Sequence, residues 1–156
     1  MAGNILNKYG TSNQAITLGI TSTTTGAARA STVIDNTSNT FVDALVSVTV
    51  TAAAASTSST GYVDVYAYGT ADGGSHYSGG ASGTDGAYSG QLSALFKLGR
   101  IAVIANNGVY VGGPWSVASA FGGSLPDHWG IAIDQESGAT PAAGSAWYQG
   151  VYGQYT

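Results

Sequence analysis

The sequence of 156 residues contains no cysteine and very little charge. Without cysteine there can be no disulfide, thiolate zinc site, iron–sulfur cluster or cysteine nucleophile. Only 8% of the residues are Asp, Glu, Lys or Arg, against about 25% in ordinary soluble domains. The bases are few and scattered, at Lys8, Arg29, Lys97 and Arg100. They cannot neutralise a run of phosphates or a charged membrane surface, so we expect neither a nucleic-acid nor a membrane partner.

Long apolar runs are also missing. No stretch approaches the roughly 20 apolar residues of a membrane-spanning helix. The opening segment MAGNILNKYG lacks the apolar centre of a signal peptide. We therefore expect a protein that is made in a cytoplasm and carries no membrane anchor.

Small polar residues and tyrosine replace the missing charge, with 24 glycines and 10 tyrosines. A surface wetted by hydroxyl groups costs less to desolvate than a charged one when another protein covers it. This composition favours a protein whose surface is adapted to contact with other proteins. The alternative is an environmentally exposed protein that prefers small polar residues.

Two segments show the period-2 alternation of half-buried antiparallel strands. In residues 41–51 one face is apolar, with Val42, Ala44, Val46, Val48 and Val50. In residues 61–68 the faces are Val63, Val65 and Ala67 on one side and Tyr62, Asp64, Tyr66 and Tyr68 on the other. Residues 16–20, 29–35, 129–134 and 147–152 are further predicted strands.

The turn Asn106-Asn107-Gly108 predicts a β-hairpin between residues 96–105 and 109–111, because Asn-Gly supplies the positive φ of a tight turn. Helix formers are few and no long helix separates the strands. We predict an all-β protein, an antiparallel β-sandwich that is jelly-roll-like, with about eight strands. An immunoglobulin-like sandwich is the alternative. Residues 1–14 are predicted to be an N-terminal arm and residues 15–156 a single β-sandwich domain.

Catalytic patterns are weak. Only His76 and His128 could act as a histidine base, and no G-x-S-x-G motif accompanies them. Most aspartates stand beside turn residues, as solvated or turn-forming carboxylates do. Neither an EF-hand nor a phosphate-binding loop is present. We predict no enzymatic activity, no catalytic residue, no cofactor and no metal.

Tyrosines form the best candidate binding surface. Three of them project from one face of one strand, and two more lie in the Gly/Ser-rich segment 69–90; the five are Tyr62, Tyr66, Tyr68, Tyr77 and Tyr88. Tyrosine is enriched at protein interfaces and its ring can also stack on a sugar. The alternative is internal packing under a loop. We expect the tryptophans, Trp115, Trp129 and Trp147, mostly in the core.

The second half of the chain carries the segment GGPWSVASAFGGSLP at residues 112–126, followed by HWGI at 128–131. With the opening NILNKYG at residues 4–10, it resembles small virion proteins of tailed bacteriophages. That resemblance implies a β-sandwich capsid decoration (cement) protein that binds the outer head surface and bridges major capsid subunits. It also implies a virion location, the major capsid protein or other virion proteins as partners, and a homo-oligomer on the particle. A carbohydrate-binding module or a tail or fibre accessory role is the alternative.

Overall fold

The computed structural model describes residues 4–155. Within them lie eleven strands: β1 Ile5–Tyr9, β2 Gln14–Ile16, β3 Ala27–Ala30, β4 Ile34–Asp35, β5 Asp43–Thr51, β6 Tyr62–Thr70, β7 Gly86–Ala87, β8 Phe96–Ala102, β9 Val109–Ser116, β10 His128–Glu136 and β11 Ala143–Tyr155. Short 3-10 helices occupy Ile20–Ser22, Ser78–Gly80, Leu92–Ala94 and Ala118–Phe121. None of the helices in this part of the chain has the length and apolar character needed to cross a membrane.

The strands form two antiparallel sheets. The first sheet has the order β1-β11-β5-β9, and β2 also pairs with β11. The second sheet has the order β7-β3-β10-β6-β8, and β4 also pairs with β10. Along the chain, six of the ten connections between consecutive strands cross from one sheet to the other.

The eight main strands pair in a nested pattern. In chain order they are β1, β3, β5, β6, β8, β9, β10 and β11. The first pairs with the last (β1 with β11), the second with the seventh (β3 with β10), the third with the sixth (β5 with β9), and the fourth with the fifth (β6 with β8). This is one long hairpin of strands folded over into two sheets, which is the jelly-roll arrangement. The predicted all-β antiparallel sandwich is confirmed.

The core lies between the inner faces of the two sheets. The first sheet contributes Val46, Val48 and Val50, and the second contributes Val63 and Val65, all fully buried. Because alternate residues of a strand point to opposite faces, the predicted period-2 pattern places these valines together. Trp129 of β10 and Tyr148 of β11 meet edge to face across the sandwich, with ring centroids 5.3 Å apart.

The predicted hairpin around residues 106–108 is wrong, although the turn itself is present. Asn107 has a φ of 56°, as an Asn-Gly turn requires. The strands on its two sides nevertheless belong to different sheets, since β8 pairs with β6 and β9 pairs with β5. The turn donates the Asn107 N–H to the Ala53 carbonyl, and the Gly108 carbonyl accepts from the Ala52 N–H. The two residues that follow β5 therefore hold the turn where the chain changes sheets.

The predicted strand at residues 16–20 is wrong beyond its first residue. Strand β2 ends at Ile16, and a 3-10 helix begins at Ile20. Ile16, Leu18 and Ile20 are all buried in the core, as the alternation predicted.

The predicted N-terminal arm is only partly covered by the structure, because residues 1–3 lie outside the described residues. Ile5–Tyr9 forms strand β1 along the edge of the first sheet and pairs with the last part of β11. Residue 156, the last of the predicted domain, also lies outside the described residues.

Candidate binding surfaces

The Gly/Ser-rich segment after β6 folds back over the outer face of the second sheet. Beneath it lies a second hydrophobic cluster that contains Tyr68 and Tyr88 with Ala30, Ala81 and Ala132. Tyr68 is 0% exposed and donates its hydroxyl to the Ser31 carbonyl at 2.6 Å. Tyr88 is 8% exposed and donates to the Gly79 carbonyl at 2.6 Å. These two candidate contact residues are buried, which corresponds to the internal-packing alternative.

A glycine makes this packing possible. Gly130 faces Tyr68 across the β6–β10 pairing, and an added Cβ there would lie 2.4 Å from Cζ of the Tyr68 ring. The ring therefore rests directly on the β10 backbone. Burial raises the pKa of Tyr68 to about 12. Tyr77 is half-buried and packs edge to face on Tyr68, with centroids 5.7 Å apart.

The other two tyrosines of the stripe stay partly exposed beside a charged cluster. The Arg100 guanidinium lies over the Tyr62 ring, with Cζ 3.6 Å from the ring centroid, which is the geometry of a cation–π contact. Tyr66 is half-buried: it lies opposite Lys97 in the β6–β8 pairing and packs against the second hydrophobic cluster. A partner contact by Tyr62, Tyr66 and Tyr77 stays a prediction.

The charged cluster centres on a buried carboxylate. Asp64 is 3% exposed and accepts hydrogen bonds from Lys97 Nζ at 2.6 Å and from both Nε and Nη2 of Arg100 at 2.6 and 2.7 Å. Burial raises the pKa of Asp64, but the hydrogen bonds and positive charges of Arg100 and Lys97 outweigh it, so the pKa lies below its usual value. Asp134, opposite Asp64 on β10, has a raised pKa because of burial and repulsion from Glu136 and Asp64.

Each histidine is near a different carboxylate. His76 Nδ1 lies 2.7 Å from Asp72 Oδ2, and both side chains are exposed. Hydrogen bonds from Thr70 and His76 hold the pKa of Asp72 well below its usual value. His128 Nε2 lies 3.9 Å from Asp35 Oδ1. Across residues 4–155, no three His, Asp or Glu side chains are grouped to hold a metal ion.

A two-stranded ribbon carries the largest group of exposed apolar side chains. It consists of Ile5–Tyr9 of β1 and residues 151–155 of β11, and we call it the β1–β11 ribbon. Strand β5 pairs with β11 only as far as Val151, so the remainder of the ribbon extends past the sandwich. Five of the ten exposed large apolar residues in the described chain belong to it: Ile5, Leu6, Tyr9, Tyr152 and Tyr155.

The ribbon is stabilised by little burial of its own. Ile5 is 75% exposed and Tyr155 is 72% exposed. A two-stranded ribbon is marginal in water unless a hydrophobic face is covered. In residues 4–155, β1 pairs on one side only, so its other edge presents free backbone donors and acceptors. The ribbon therefore has both the apolar side chains and the strand edge with which a partner can pair.

A second surface surrounds Trp147 on the outer face of the first sheet. Its neighbours Ala146 and Tyr148 are buried in the core, so alternation directs the Trp147 side chain outwards. Two depressions of about 400 and about 130 Å³ border this half-buried indole. The larger is lined by Asn13, Ala15, Ser145, Ala146 and Trp147.

The prediction that the tryptophans lie mostly in the core does not include this surface. Trp129 is in the core and the half-buried Trp115 packs against it, so the prediction fails only for Trp147. The available signal was the polar alternation around the residue, since Ser145 and Gln149 share its face of β11.

No known protein-family model matches this chain, and a search of curated proteins finds no match.

Proposed function

We propose that this chain is a non-enzymatic structural protein of a tailed-phage virion, a decoration protein that binds the outer head surface and stabilises contacts between major capsid subunits. The observation that carries the proposal is the β1–β11 ribbon, a strand pair that holds half of the exposed large apolar residues of the described chain. The resemblance of residues 4–10 and 112–131 to phage virion proteins supports the same role. On this proposal the chain resides in the virion.

The ribbon favours a protein partner that supplies a strand or an apolar groove. An exposed edge strand can accept a further strand through main-chain hydrogen bonds, while alternate side chains provide specificity. Ile5 and Tyr155 pair directly across the two strands, so they present one continuous apolar patch. A surface poor in charge lowers the desolvation cost of covering it. Such contacts are repeated around a capsid shell, both with the capsid and between copies of this chain. The repetition strengthens overall binding through avidity.

Quantitative mass spectrometry of purified particles tests the role itself. The particles are taken from a host that carries the gene, and the copy number is compared with that of the major capsid protein. A decoration protein is expected in numbers comparable to the capsid subunit. Absence from the particle would refute the virion assignment, and recovery in a few copies with the tail would replace decoration by a tail or fibre accessory role.

A binding measurement tests the ribbon. The double variant Ile5→Ser/Tyr155→Ser is expected to bind capsids lacking the protein at least about tenfold more weakly, because two apolar anchors are lost. The matched control is Val109→Ser/Val111→Ser, which changes side chains that are 65% and 63% exposed at the β9 edge of the same sheet. Equal binding by the ribbon variant and the wild type would overturn the proposal, as would an equal loss in the control.

A further inference from the structure

The surface around Trp147 has the features of a small-ligand site that is separate from the β1–β11 ribbon. We infer that the two depressions beside Trp147 bind a neutral saccharide, with one sugar ring stacked on the indole. The inference does not rest on the proposed virion role, since it concerns residues of the first sheet that do not belong to the ribbon.

The size of the site fits a small ligand. The larger depression, of about 400 Å³, lies within the range of roughly 300–1,000 Å³ that is typical of small-molecule sites. The smaller one, of about 130 Å³, shares Asn13 and Trp147 with it. Because the Trp147 indole lines both depressions, a ligand of two linked units can place one unit in each depression.

The lining is uncharged and rich in unused hydrogen-bonding groups. Neither depression has an Asp, Glu, Lys, Arg or His among its lining residues. Within residues 4–155, no side-chain hydrogen bond engages Asn13, Ser47 or Ser145. An amide and hydroxyls can both donate and accept, which matches the hydroxyl groups of a sugar.

The Trp147 indole narrows the class of ligand that the site can bind. An indole offers a flat apolar face and one N–H donor, and it needs a ligand with one apolar face and a polar rim. A pyranose has such a face in its ring C–H groups. A nucleotide or another anion would find no counter-charge in the lining, and a lipid chain would leave the amide and hydroxyls unpaired.

Hydrogen bonds hold the loop that carries Asn13 against β11. Asn13 lies just before β2 in the connection that follows β1, with a φ of 57°. Gly10 anchors this connection on β11: its N–H donates to the Gly150 carbonyl at 2.8 Å, and its carbonyl accepts from Gln149 Nε2 at 2.9 Å. A positioned loop reduces the entropy lost when a ligand binds.

The test is a binding screen of the full chain against neutral gluco-, manno- and galacto-configured oligosaccharides, with sialylated and sulfated oligosaccharides as charged comparators. Isothermal titration calorimetry measures the affinity of the wild type and of every variant, and in the wild type the NMR signal of the Trp147 indole N–H reports contact with the sugar. A neutral sugar is expected to shift this signal, and Trp147→Ala is expected to weaken binding about tenfold or more, which corresponds to loss of one stacked ring. Trp147→Phe is expected to retain part of the affinity, because a ring face remains.

Control variants separate this site from the ribbon. Tyr155→Ser removes an exposed aromatic from the β1–β11 ribbon and is expected to leave sugar binding unchanged. Circular dichroism and a thermal melt verify that each variant is folded. The inference is overturned if no neutral sugar binds, if only charged sugars bind, or if a folded Trp147→Ala variant binds as the wild type does. Capsid binding by the ribbon can fail or succeed independently of all these outcomes.

Discussion

Adding one methyl group at Gly130 tests whether the tyrosine cluster under the loop acts as a second core. The new Cβ would lie 2.4 Å from Cζ and Oη of Tyr68. That ring is fully buried, and its hydroxyl is bonded to the Ser31 carbonyl, so it cannot move without losing the bond. Overpacking costs about 1–3 kcal/mol and an unsatisfied buried acceptor about the same again. We expect Gly130→Ala to lower the free energy of unfolding by about 3 kcal/mol.

Urea denaturation followed by tryptophan fluorescence measures this loss, and a thermal melt provides a second readout. For a chain of this size the melting temperature should fall by roughly 8 °C, at about 2–4 °C per kcal/mol. The matched control is Gly86→Ala, because an added Cβ at Gly86 meets nothing within 4 Å. A surface change of that kind is expected to stay within about 0.5 kcal/mol.

A double-mutant cycle assigns the cost to the ring. In the Tyr68→Ala background the methyl group at position 130 no longer meets a ring, so most of its cost should disappear. The coupling energy is expected to be about 1–3 kcal/mol. Equal stability of Gly130→Ala and Gly86→Ala would refute the packing argument, and so would an undiminished cost of Gly130→Ala in the Tyr68→Ala background.

Three further predictions concern the rest of the sandwich. Asp64→Asn should cost about 2 kcal/mol at neutral pH, since the carboxylate accepts three charged hydrogen bonds. The pKa of Asp64 is lowered in the folded state, so this contribution is present above about pH 4 and is lost as the pH falls through the folded-state pKa. The free energies of unfolding of the wild type and the variant, measured in urea, should therefore converge at low pH. A difference that stays constant with pH would contradict this prediction. Asp85→Asn removes the charged partner of Arg29 and weakens the acceptor of the Gly19 N–H, so hydrogen exchange at Gly19 should quicken; unchanged exchange would show that this bond is not limiting. Ile131→Ala should cost about 2–5 kcal/mol in denaturant unfolding because it leaves a cavity in the core, whereas Val111→Ala at the exposed edge should stay within about 0.5 kcal/mol.

The layered β architecture could be predicted from the sequence because burial on one face of a strand leaves a local record. Val46, Val48 and Val50 alternate with polar residues, and their positions in the core follow from that spacing alone. The pairing of strands is a non-local property. The sequence predicts the turn at Asn107, but the strands on its two sides pair with β5 and β6, which lie far away in sequence.

The binding surfaces were harder to predict for the same reason. The tyrosine stripe was visible as alternation, but the sequence does not reveal that the segment after β6 lies over Tyr68 and Tyr88. The outward direction of Trp147 depends on which face of β11 meets the core, and apolar residues occur on both faces of that strand. The ribbon has weak alternation, since Asn7 and Lys8 interrupt it, so its apolar character emerges only from the pairing of Ile5 with Tyr155.

The nested pairing of the main strands has a consequence for the kinetics of folding. Strands β6 and β8 at the centre of the nest can meet early, whereas β1 must find β11 after nearly the whole intervening chain has been ordered. Topologies dominated by such distant partners fold in milliseconds to seconds, because the entropy of closing long loops is lost before the contacts form. We expect the β1–β11 pairing to be the last to form and the first to open, which leaves its apolar residues open to a neighbour while the rest of the sandwich is already intact.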